Sequence, residues 1–176
     1  MVTEAIRIGV VMQRLALQSR WQAHQWRPLE IIGAGALPDG AAPDGGHCLL
    51  DDPGDMRRLF TGFDIRLFRD EAEGYFLNVN APNPCWFIMW RIEESSVGEI
   101  AVPKTVTLSY NEAARLMDGG EQVDTLPLSS EVTGWLAAYT HEYYRPEPKH
   151  KRKKPSFEGG EGVDRMAKAE ENRDGR

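Results

Sequence analysis

The residues best suited to recognise a partner lie close together near the N-terminus, in the sequence Trp21-Gln22-Ala23-His24-Gln25-Trp26-Arg27-Pro28. This stretch holds two of the five tryptophans of the chain. An indole ring offers a large contact area and one N–H donor. One interpretation is a recognition surface, on which aromatic rings and Arg27 hold an anion or a segment of a partner protein. The other is that both indoles pack on a sheet with His24 as a hydrogen-bonded spacer. We call Trp21, His24, Trp26 and Arg27 the tryptophan segment.

A basic run near the C-terminus is the second candidate binding segment, and it contains Lys149, Lys151, Arg152, Lys153 and Lys154. Such a run attracts acidic protein surfaces, nucleic acid or anionic membranes. No aromatic residue is interleaved for base stacking. Residues 1–145 carry 12 of the 21 basic and 20 of the 27 acidic side chains, a net charge of −8, which repels phosphate. The run is therefore either a solvated tail or a docking tail for an acidic protein, and nucleic acid is the weaker alternative.

Motifs for nucleotide binding and covalent catalysis are missing from the sequence. Gly33-Ala34-Gly35 begins like a dinucleotide fingerprint, but Pro38 stands where the third glycine is needed. The chain has neither a Gly-Lys-Ser/Thr phosphate loop nor a Gly-x-Ser-x-Gly nucleophile elbow. Whether Cys48 meets a histidine in space is not encoded in the spacing. We predict no catalytic residue and expect a protein that is not an enzyme.

Metal ligands are present in small number, and their spacing does not favour a site. The histidines and cysteines are His24, His47, Cys48, Cys85, His141 and His150. Adjacent residues of a strand point to opposite faces, so His47 and Cys48 do not suit one ion. The acidic stretch Asp51-Asp52-Pro53-Gly54-Asp55 lacks the spacing of a calcium loop and predicts a turn. We predict no metal site.

Period-two alternation of apolar residues predicts most of the chain to be β-structure. The predicted strands cover residues 6–14, 26–32, 63–68, 75–79, 86–92 and 100–108. Pro28 indicates an edge strand or a bulge, because proline cannot donate to the ladder. The strand over residues 86–92 is apolar on both faces, which indicates a central position. A long loop is predicted over residues 33–46, and residues 81–84 are predicted to form a short hairpin connection.

Two helices are predicted after the strands. Ser109 and Glu112 fit a capping box for a helix that ends before Gly119-Gly120. Ser129 or Ser130 caps a final helix whose apolar face is Val132, Trp135, Leu136, Tyr139 and Tyr143. The predicted class is α+β, with a mainly antiparallel sheet of about six strands, a partial barrel being one alternative, followed by two helices. Residues 1–145 form the predicted domain, and residues 146–176 a charged tail that is expected to be disordered when alone.

The predicted location is the cytoplasm. The first residues lack a basic region followed by an apolar one, so no secretory signal is predicted. No apolar run approaches the ~20 residues that a membrane span needs. Two distant cysteines without a CxxC pair suit free thiols in a reducing compartment.

The segment Trp21-x-x-His24-x-Trp26-Arg27-Pro28, the following glycine-rich loop and the ending Tyr143-Tyr144-Arg145-Pro146-Glu147-Pro148 before a basic run resemble a bacterial family. That family has no established function. Its members tend to be encoded near molybdenum- or tungsten-dependent formate dehydrogenases. They are often loosely labelled as similar to the molybdopterin-guanine dinucleotide biosynthesis protein A. The resemblance spans most of residues 6–154.

The resemblance implies an accessory protein for the maturation or assembly of such a formate dehydrogenase, with a subunit or maturation protein as its partner and no cofactor of its own. The alternative is a small enzyme or carrier that binds a pterin or nucleotide, with Trp86 and Trp90 as stacking faces. A guanylyltransferase opens with a glycine-rich, basic nucleotide loop. The opening Ile6-Arg7-Ile8-Gly9-Val10-Val11-Met12 has none, so nucleotide transfer is disfavoured.

Overall fold

Seven β-strands and three α-helices make up residues 5–147, the part of the chain that the computed structural model describes. Two short 3₁₀ turns, Ala34–Ala36 and Arg69–Glu71, lie in the connections. In chain order the elements are β1 (Ile6–Ala16), β2 (His24–Gly33), β3 (His47–Asp51), β4 (Asp55–Ile65), α1 (Ala72–Val79), β5 (Cys85–Ser95), β6 (Gly98–Thr107), α2 (Tyr110–Asp118), β7 (Gln122–Pro127) and α3 (Ser130–Tyr143).

The strands form two antiparallel sheets. The first has the order β2-β1-β4-β3 and the second has the order β6-β5-β7. The predicted α+β class is confirmed and seven strands are close to the predicted number of about six, but they form two sheets instead of one. No closed barrel forms within residues 5–147. Strands β3 and β7 are absent from the prediction, and one predicted strand is a helix.

The central strands β1 and β5 supply the middle of one apolar core. Val10 and Met12 on β1 and Ile88 on β5 have no accessible surface, so the prediction that residues 86–92 form a central strand is confirmed. Helices α1 and α3 add Tyr75, Leu136 and Tyr139. The buried cluster consists of Ile8, Val10, Met12, Phe60, Ile65, Leu67, Ala72, Tyr75, Trp86, Ile88, Ile100, Ala101, Leu108, Leu136 and Tyr139.

Residues 75–79, predicted as a strand, belong to helix α1. The apolar residues Tyr75, Leu77 and Val79 alternate, but only Tyr75 is fully buried and Leu77 is 42% exposed. The buried residues Ala72, Tyr75 and Asn78 recur every three positions, which is the spacing of a helix face. Residues 81–84 therefore join a helix to β5 instead of forming the predicted hairpin connection.

Two other boundaries differ from the prediction. The strand predicted over residues 63–68 begins at Asp55 and ends at Ile65, so β4 lies mostly before the predicted segment. Strand β7 lies between α2 and α3, and α1 lies between β4 and β5. The predicted order of strands first and helices last is therefore wrong, because local periodicity does not show that a six-residue strand follows α2.

The predicted serines cap α2 and α3, but Glu112 does not complete the predicted capping box. The N–H of Ser109 donates to Thr107 Oγ1 at 3.0 Å, and the same hydroxyl donates to Glu112. Ser109 Oγ accepts the N–H of Glu112 at 3.1 Å, and Ser129 Oγ accepts the N–H of Val132 at 3.2 Å. Pro28 lies in an edge strand next to a bulge, as proline requires. Asp52 and Asp55 exchange two backbone hydrogen bonds across the turn between β3 and β4, at 3.1 and 3.2 Å.

A buried amide joins α1 to the second sheet. Asn78 is 1% exposed, and its Nδ2 donates to the carbonyl oxygens of Cys85 and Leu108, each at 2.8 Å. Its Oδ1 accepts the N–H of Cys85 at 3.0 Å. One buried side chain thus makes three hydrogen bonds to backbone groups at the start of β5 and directly after β6, which tie α1 to the second sheet.

We expect Asn78→Leu to lower the free energy of unfolding by about 3 kcal/mol, because it removes three hydrogen bonds between a buried amide and the backbone. Urea denaturation followed by circular dichroism measures the change. Asn80→Ala is the matched control, since exposed Asn80 donates only to Phe76 within its own helix. Equal stability losses in the two variants would contradict the assigned role of Asn78.

Candidate functional site

Trp21 lies at the tip of the hairpin between β1 and β2, and its side chain is 93% exposed. The tip is closed by the N–H of Leu17, which donates to the carbonyl oxygen of Ala23 at 2.8 Å. The backbone N–H of Trp21 donates to Ser19 Oγ at 3.3 Å. Folding therefore leaves one of the largest apolar side chains almost entirely in water, which is the arrangement of a contact residue and not of a core residue.

Trp26 is a packing residue of the first sheet. It lies opposite Arg14 in the β1–β2 register, it is half-buried, and it contacts the apolar core. The Arg14 guanidinium lies 5.9 Å from the centroid of the indole ring. His24, two residues earlier, is exposed opposite Ala16. The packing interpretation thus describes Trp26, whereas Trp21 has the exposure that recognition needs.

Arg27 lies on the opposite face of β2 from Trp26, where it joins a polar network across three strands. Its Nε donates to Gln13 Oε1 at 3.0 Å, and Gln13 Nε2 donates to Asp55 Oδ1 at 2.9 Å. Asp55 pairs with Arg57 at 2.7 Å. Hydrogen bonds from Arg57 and from Gln13 hold the pKa of the Asp55 carboxyl below its ordinary value.

The tryptophan segment is therefore divided by the fold. Trp21 lies at the hairpin tip, Trp26 lies against the core, and Arg27 lies on the other face of the sheet. Successive residues of a strand point to opposite faces, so Trp26 and Arg27 do not share one surface. The recognition role of this segment stays a prediction, and Trp21 is the member with the geometry for it.

An open groove of about 1030 Å³ lies at the other end of β1. Its walls are the start of β1, the end of β2 with the following turn, the end of β7 and the first turns of α3. Apolar side chains cover much of it, namely Ile6, Ile8, Leu29, Ile31, Trp86, Leu126, Val132 and Trp135. No local sequence pattern predicts this groove, because such a pattern does not show which strand ends meet.

The charged residues of the groove are Arg7, Glu30 and Glu131. Arg7 pairs with Asp64 through Nε and Oδ1 at 3.2 Å. The carboxylates of Glu30 and Glu131 make no ion pair with any residue in the range 5–147. Glu30 precedes Ile31 in β2, so its side chain lies on the opposite face of the sheet, where its charge acts on Arg57. Exposed Glu131 is therefore the carboxylate that α3 places at the groove.

The two tryptophans named as stacking faces are both engaged by the protein. Trp86 is 3% exposed and belongs to the apolar core, although it lines the groove. Trp90 is half-buried, and its Nε1 donates to Asp124 Oδ2 at 2.7 Å. Trp135, which the sequence analysis placed only on an apolar helix face, is the half-buried tryptophan that lines the groove.

The thiols and imidazoles do not assemble within residues 5–147. No group of three or more His, Cys, Asp or Glu side chains there has metal-binding geometry. Cys48 is an exposed free thiol on β3, and Cys85 is a half-buried free thiol whose pKa is raised by burial. Gly33 ends β2, and Ala34 and Gly35 lie in the 3₁₀ turn beside the groove.

The basic run from Lys149 to Lys154, which includes His150, lies outside the described residues. Its docking role stays a prediction. Within the described range, no helix has the length and apolar character needed to cross a membrane.

We expect Trp26→Ala to lower the free energy of unfolding by about 2 kcal/mol, because it removes half-buried packing against the core. Trp21→Ala removes an indole that is already in water, so its effect should stay within about 0.5 kcal/mol. Urea denaturation of both variants measures the difference. A comparable loss in Trp21→Ala would show that the Trp21 indole packs on the protein.

The Asp55 network should make stability depend on pH in acid. Because the folded pKa of Asp55 is below its unfolded value, the carboxylate stabilises the fold above that unfolded value, and this contribution disappears as the pH falls through the folded pKa. Asp55→Asn should therefore be less stable than the wild type at pH ~7 and nearly equal to it at pH ~2.

Thermal denaturation across this pH range measures the effect. Arg57→Gln removes the main cause of the lowered pKa and should flatten the acid dependence in the same way. A constant gap between the wild type and Asp55→Asn at all pH values would contradict the assignment.

Comparison with known proteins gives one family. A family model described as "Protein of unknown function (DUF3305)" matches residues 7–153. No curated protein and no solved structure matches the chain. The expected membership of a family without an established function is confirmed, and the expected link to formate dehydrogenase stays a prediction. Since the matched range covers most of the chain and nearly all of the described fold, this chain belongs to the DUF3305 family of proteins of unknown function.

Proposed function

We propose that this protein is a non-enzymatic accessory protein that binds another protein during the assembly or maturation of a molybdenum- or tungsten-dependent formate dehydrogenase. The enzyme is inferred from the sequence resemblance alone. The mode of action is inferred from Trp21, whose 93% exposure is the observation that carries the proposal. The partner is a formate dehydrogenase subunit or another maturation protein, and the place of action is the cytoplasm.

An exposed indole at a hairpin tip has a physical cost that binding can offset. It leaves a large apolar surface in water, where burial at an interface contributes about 25 cal/mol per Å² of apolar area. Tryptophan is among the residues that most often dominate binding energy at protein interfaces. The loop that carries it is closed by the hydrogen bond from the Leu17 N–H to the Ala23 carbonyl oxygen and connects two paired strands of the first sheet. Trp21 is therefore suited to anchor a partner without needing to reorganise the fold.

The alternative, a pterin- or nucleotide-binding protein, has the groove as its best location. Its apolar wall and Trp135 would suit a heterocycle. Molybdopterin and guanine nucleotides carry phosphate groups, however, and the carboxylate of Glu131 would repel them. The one basic residue of the groove, Arg7, is already paired with Asp64. Charge therefore favours the protein-binding proposal, in which the chain holds no cofactor.

Deleting the gene and complementing it with variants tests the proposal. We expect deletion to lower formate dehydrogenase activity and the metal content of the purified enzyme, and the wild-type gene to restore both. Trp21→Ala should restore neither fully. Ile92→Ala is the matched control, since Ile92 is a 46% exposed apolar residue on the other sheet. Unchanged activity and metal content after deletion would overturn the proposal.

Affinity purification from the native cells tests which surfaces of the protein bind the partner. We expect a formate dehydrogenase subunit or maturation protein to copurify with the tagged wild type and with Ile92→Ala, but weakly with Trp21→Ala. A chain ending at Arg145 tests the basic run, with Lys149, Lys151, Arg152, Lys153 and Lys154 as the proposed docking residues. Full recovery of the partner with Trp21→Ala would remove the hairpin tip from the proposal.

A further inference from the structure

We propose that the end of the β1–β2 hairpin binds an acidic, partly apolar segment of a partner protein, whose carboxylates pair with Arg14 and Arg20 and whose apolar side chain covers Trp21. This inference rests on the proposed protein-binding role of Trp21 and names the chemistry of the partner at that site. The hairpin surface consists of Arg14, Arg20, Trp21, His24 and Trp26. Three observations carry the inference: the placement of these residues, an uncompensated guanidinium and the charge of the hairpin.

The first observation is that the five residues lie at one end of the first sheet. Arg14 lies opposite Trp26 in the β1–β2 register, and His24 lies two residues before Trp26 on the same strand. Opposite residues and residues two apart point to one face, so these three side chains share a face of the hairpin. Arg20 and Trp21 lie in the loop that joins the two strands. About five extended residues span ~17 Å, so a short segment can reach both Arg14 and the loop.

The second observation is a guanidinium that the fold leaves without a carboxylate. Arg14 is half-buried, and its Nε is buried without a hydrogen-bond partner within residues 5–147. No carboxylate in that range forms an ion pair with Arg14. Its aromatic neighbour is the Trp26 ring, whose centroid lies 5.9 Å from Cζ, and this contact offsets only part of the desolvation of the cation. A carboxylate from a partner would supply the missing counter-charge.

The third observation is the charge of the hairpin. Residues 5–29 include four arginines and neither aspartate nor glutamate, although the net charge of residues 1–145 is −8. Arg20 and His24 are exposed at the hairpin end, whereas Arg27 is bound to Gln13 on the other face. The hairpin surface is therefore a positive patch on an acidic domain, and its electrostatic complement is an acidic segment. Nucleic acid is a longer polyanion that the acidic remainder of the domain repels, so a short acidic protein segment is favoured.

Trp21 adds a requirement for apolar character in the partner. Its indole is 93% exposed and directly follows the exposed Arg20. Covering apolar surface contributes about 25 cal/mol per Å², a gain that carboxylates alone do not provide. The partner segment therefore carries an apolar side chain next to its acidic ones.

Two carboxylates at the same end of the sheet oppose an acidic partner. Asp51 ends β3 and Asp52 follows it, in the turn whose Gly54 carbonyl oxygen accepts the N–H of Ala16 at 3.1 Å. Neither aspartate forms an ion pair within residues 5–147. The double variant Asp51→Asn, Asp52→Asn should therefore bind an acidic peptide about threefold more tightly than the wild type. Unchanged or weaker binding would place the peptide elsewhere and overturn the proposal.

Nuclear magnetic resonance of the full chain tests the proposal, because each tryptophan gives its own indole N–H signal. The Trp21→Phe variant identifies the signal of Trp21. The probe is a seven-residue peptide that alternates glutamate and leucine, and the matched peptide alternates lysine and leucine. We expect the glutamate peptide to shift the Trp21 signal saturably and the lysine peptide to bind at least about tenfold more weakly.

The Trp21 signal also separates the hairpin from the basic run Lys149–Lys154, since the signal is a property of the hairpin tip itself. A glutamate peptide that binds the chain without shifting the Trp21 signal would assign the binding to another surface and overturn the proposal. Equal affinities for the two peptides would overturn it as well.

Arginine variants then test the assigned charges. Arg14→Gln, Arg20→Gln should bind the glutamate peptide about tenfold more weakly than the wild type. Arg66→Gln, Arg145→Gln is the matched control, because both arginines are exposed, lie outside the hairpin and form no ion pair within residues 5–147. Thermal denaturation verifies that all variants are folded. Equal weakening by the two double variants would reduce the effect to general charge attraction and overturn the surface.

An oligothymidylate of about twelve nucleotides tests the other kind of anionic partner. We expect it to shift the Trp21 signal only at concentrations above those of the glutamate peptide. A saturable shift at lower concentrations would assign the hairpin surface to nucleic acid and overturn the proposal.

Failure of this inference is distinguishable from failure of the proposed function. Loss of partner capture in Trp21→Ala with full capture in Arg14→Gln, Arg20→Gln would leave the function and overturn the acidic partner segment. Binding of the glutamate peptide with an unaffected formate dehydrogenase in the deletion strain would support the hairpin surface and overturn the proposed function.

Discussion

The burial of β1 and β5, the central strands of two different sheets, in one apolar core is the constraint on which the rest of this structure depends. Val10, Met12 and Ile88 lose all their accessible surface there. Because neither sheet closes into a barrel within residues 5–147, edge strands remain on both. Helices α1 and α3 cover part of the core with Tyr75, Leu136 and Tyr139. The groove lies beside the first turns of α3, where the ends of β1, β2 and β7 meet. It is thus a consequence of packing two short sheets with only partial helical cover.

Polar side chains fix how the two sheets meet, since apolar packing alone is not directional. The buried guanidinium of Arg58 donates to the carbonyl oxygens of Gly45 and Gly46, whose positive φ angles of 77° and 73° suit glycine. The neighbouring Asp44 accepts the N–H of Ser96, in the turn between β5 and β6, at 2.8 Å. The loop that begins after β2 is therefore held between β4 of the first sheet and a hairpin of the second. Such fully paired contacts favour one arrangement of the sheets over its alternatives.

The sequence predicts those parts of this fold that depend on neighbouring residues. The strands around Val10 and Ile88 have a clear apolar pattern, and Ser109 and Ser129 mark helix starts by their chemistry. Helix α1 was mistaken for a strand because Tyr75, Leu77 and Val79 alternate by coincidence, while the decisive burial of Asn78 depends on backbone groups 7 and 30 residues away. The same limit applies to the sites. Two tryptophans five residues apart look equivalent in the sequence, but the fold buries part of one and exposes the other. The groove joins segments more than 100 residues apart, so no local pattern contains it.

The groove and the hairpin tip lie at opposite ends of β1. The strand runs from Ile6, which lines the groove, to Ala16 before the tip, and 11 residues at ~3.3 Å each span roughly 35 Å. Because β1 pairs with both β2 and β4 from Ile8 to Leu15, hydrogen bonds on both edges fix the separation of its two ends. The exposed indole of Trp21 is therefore carried by a strand whose own position is set by the core, and its exposure does not depend on the groove.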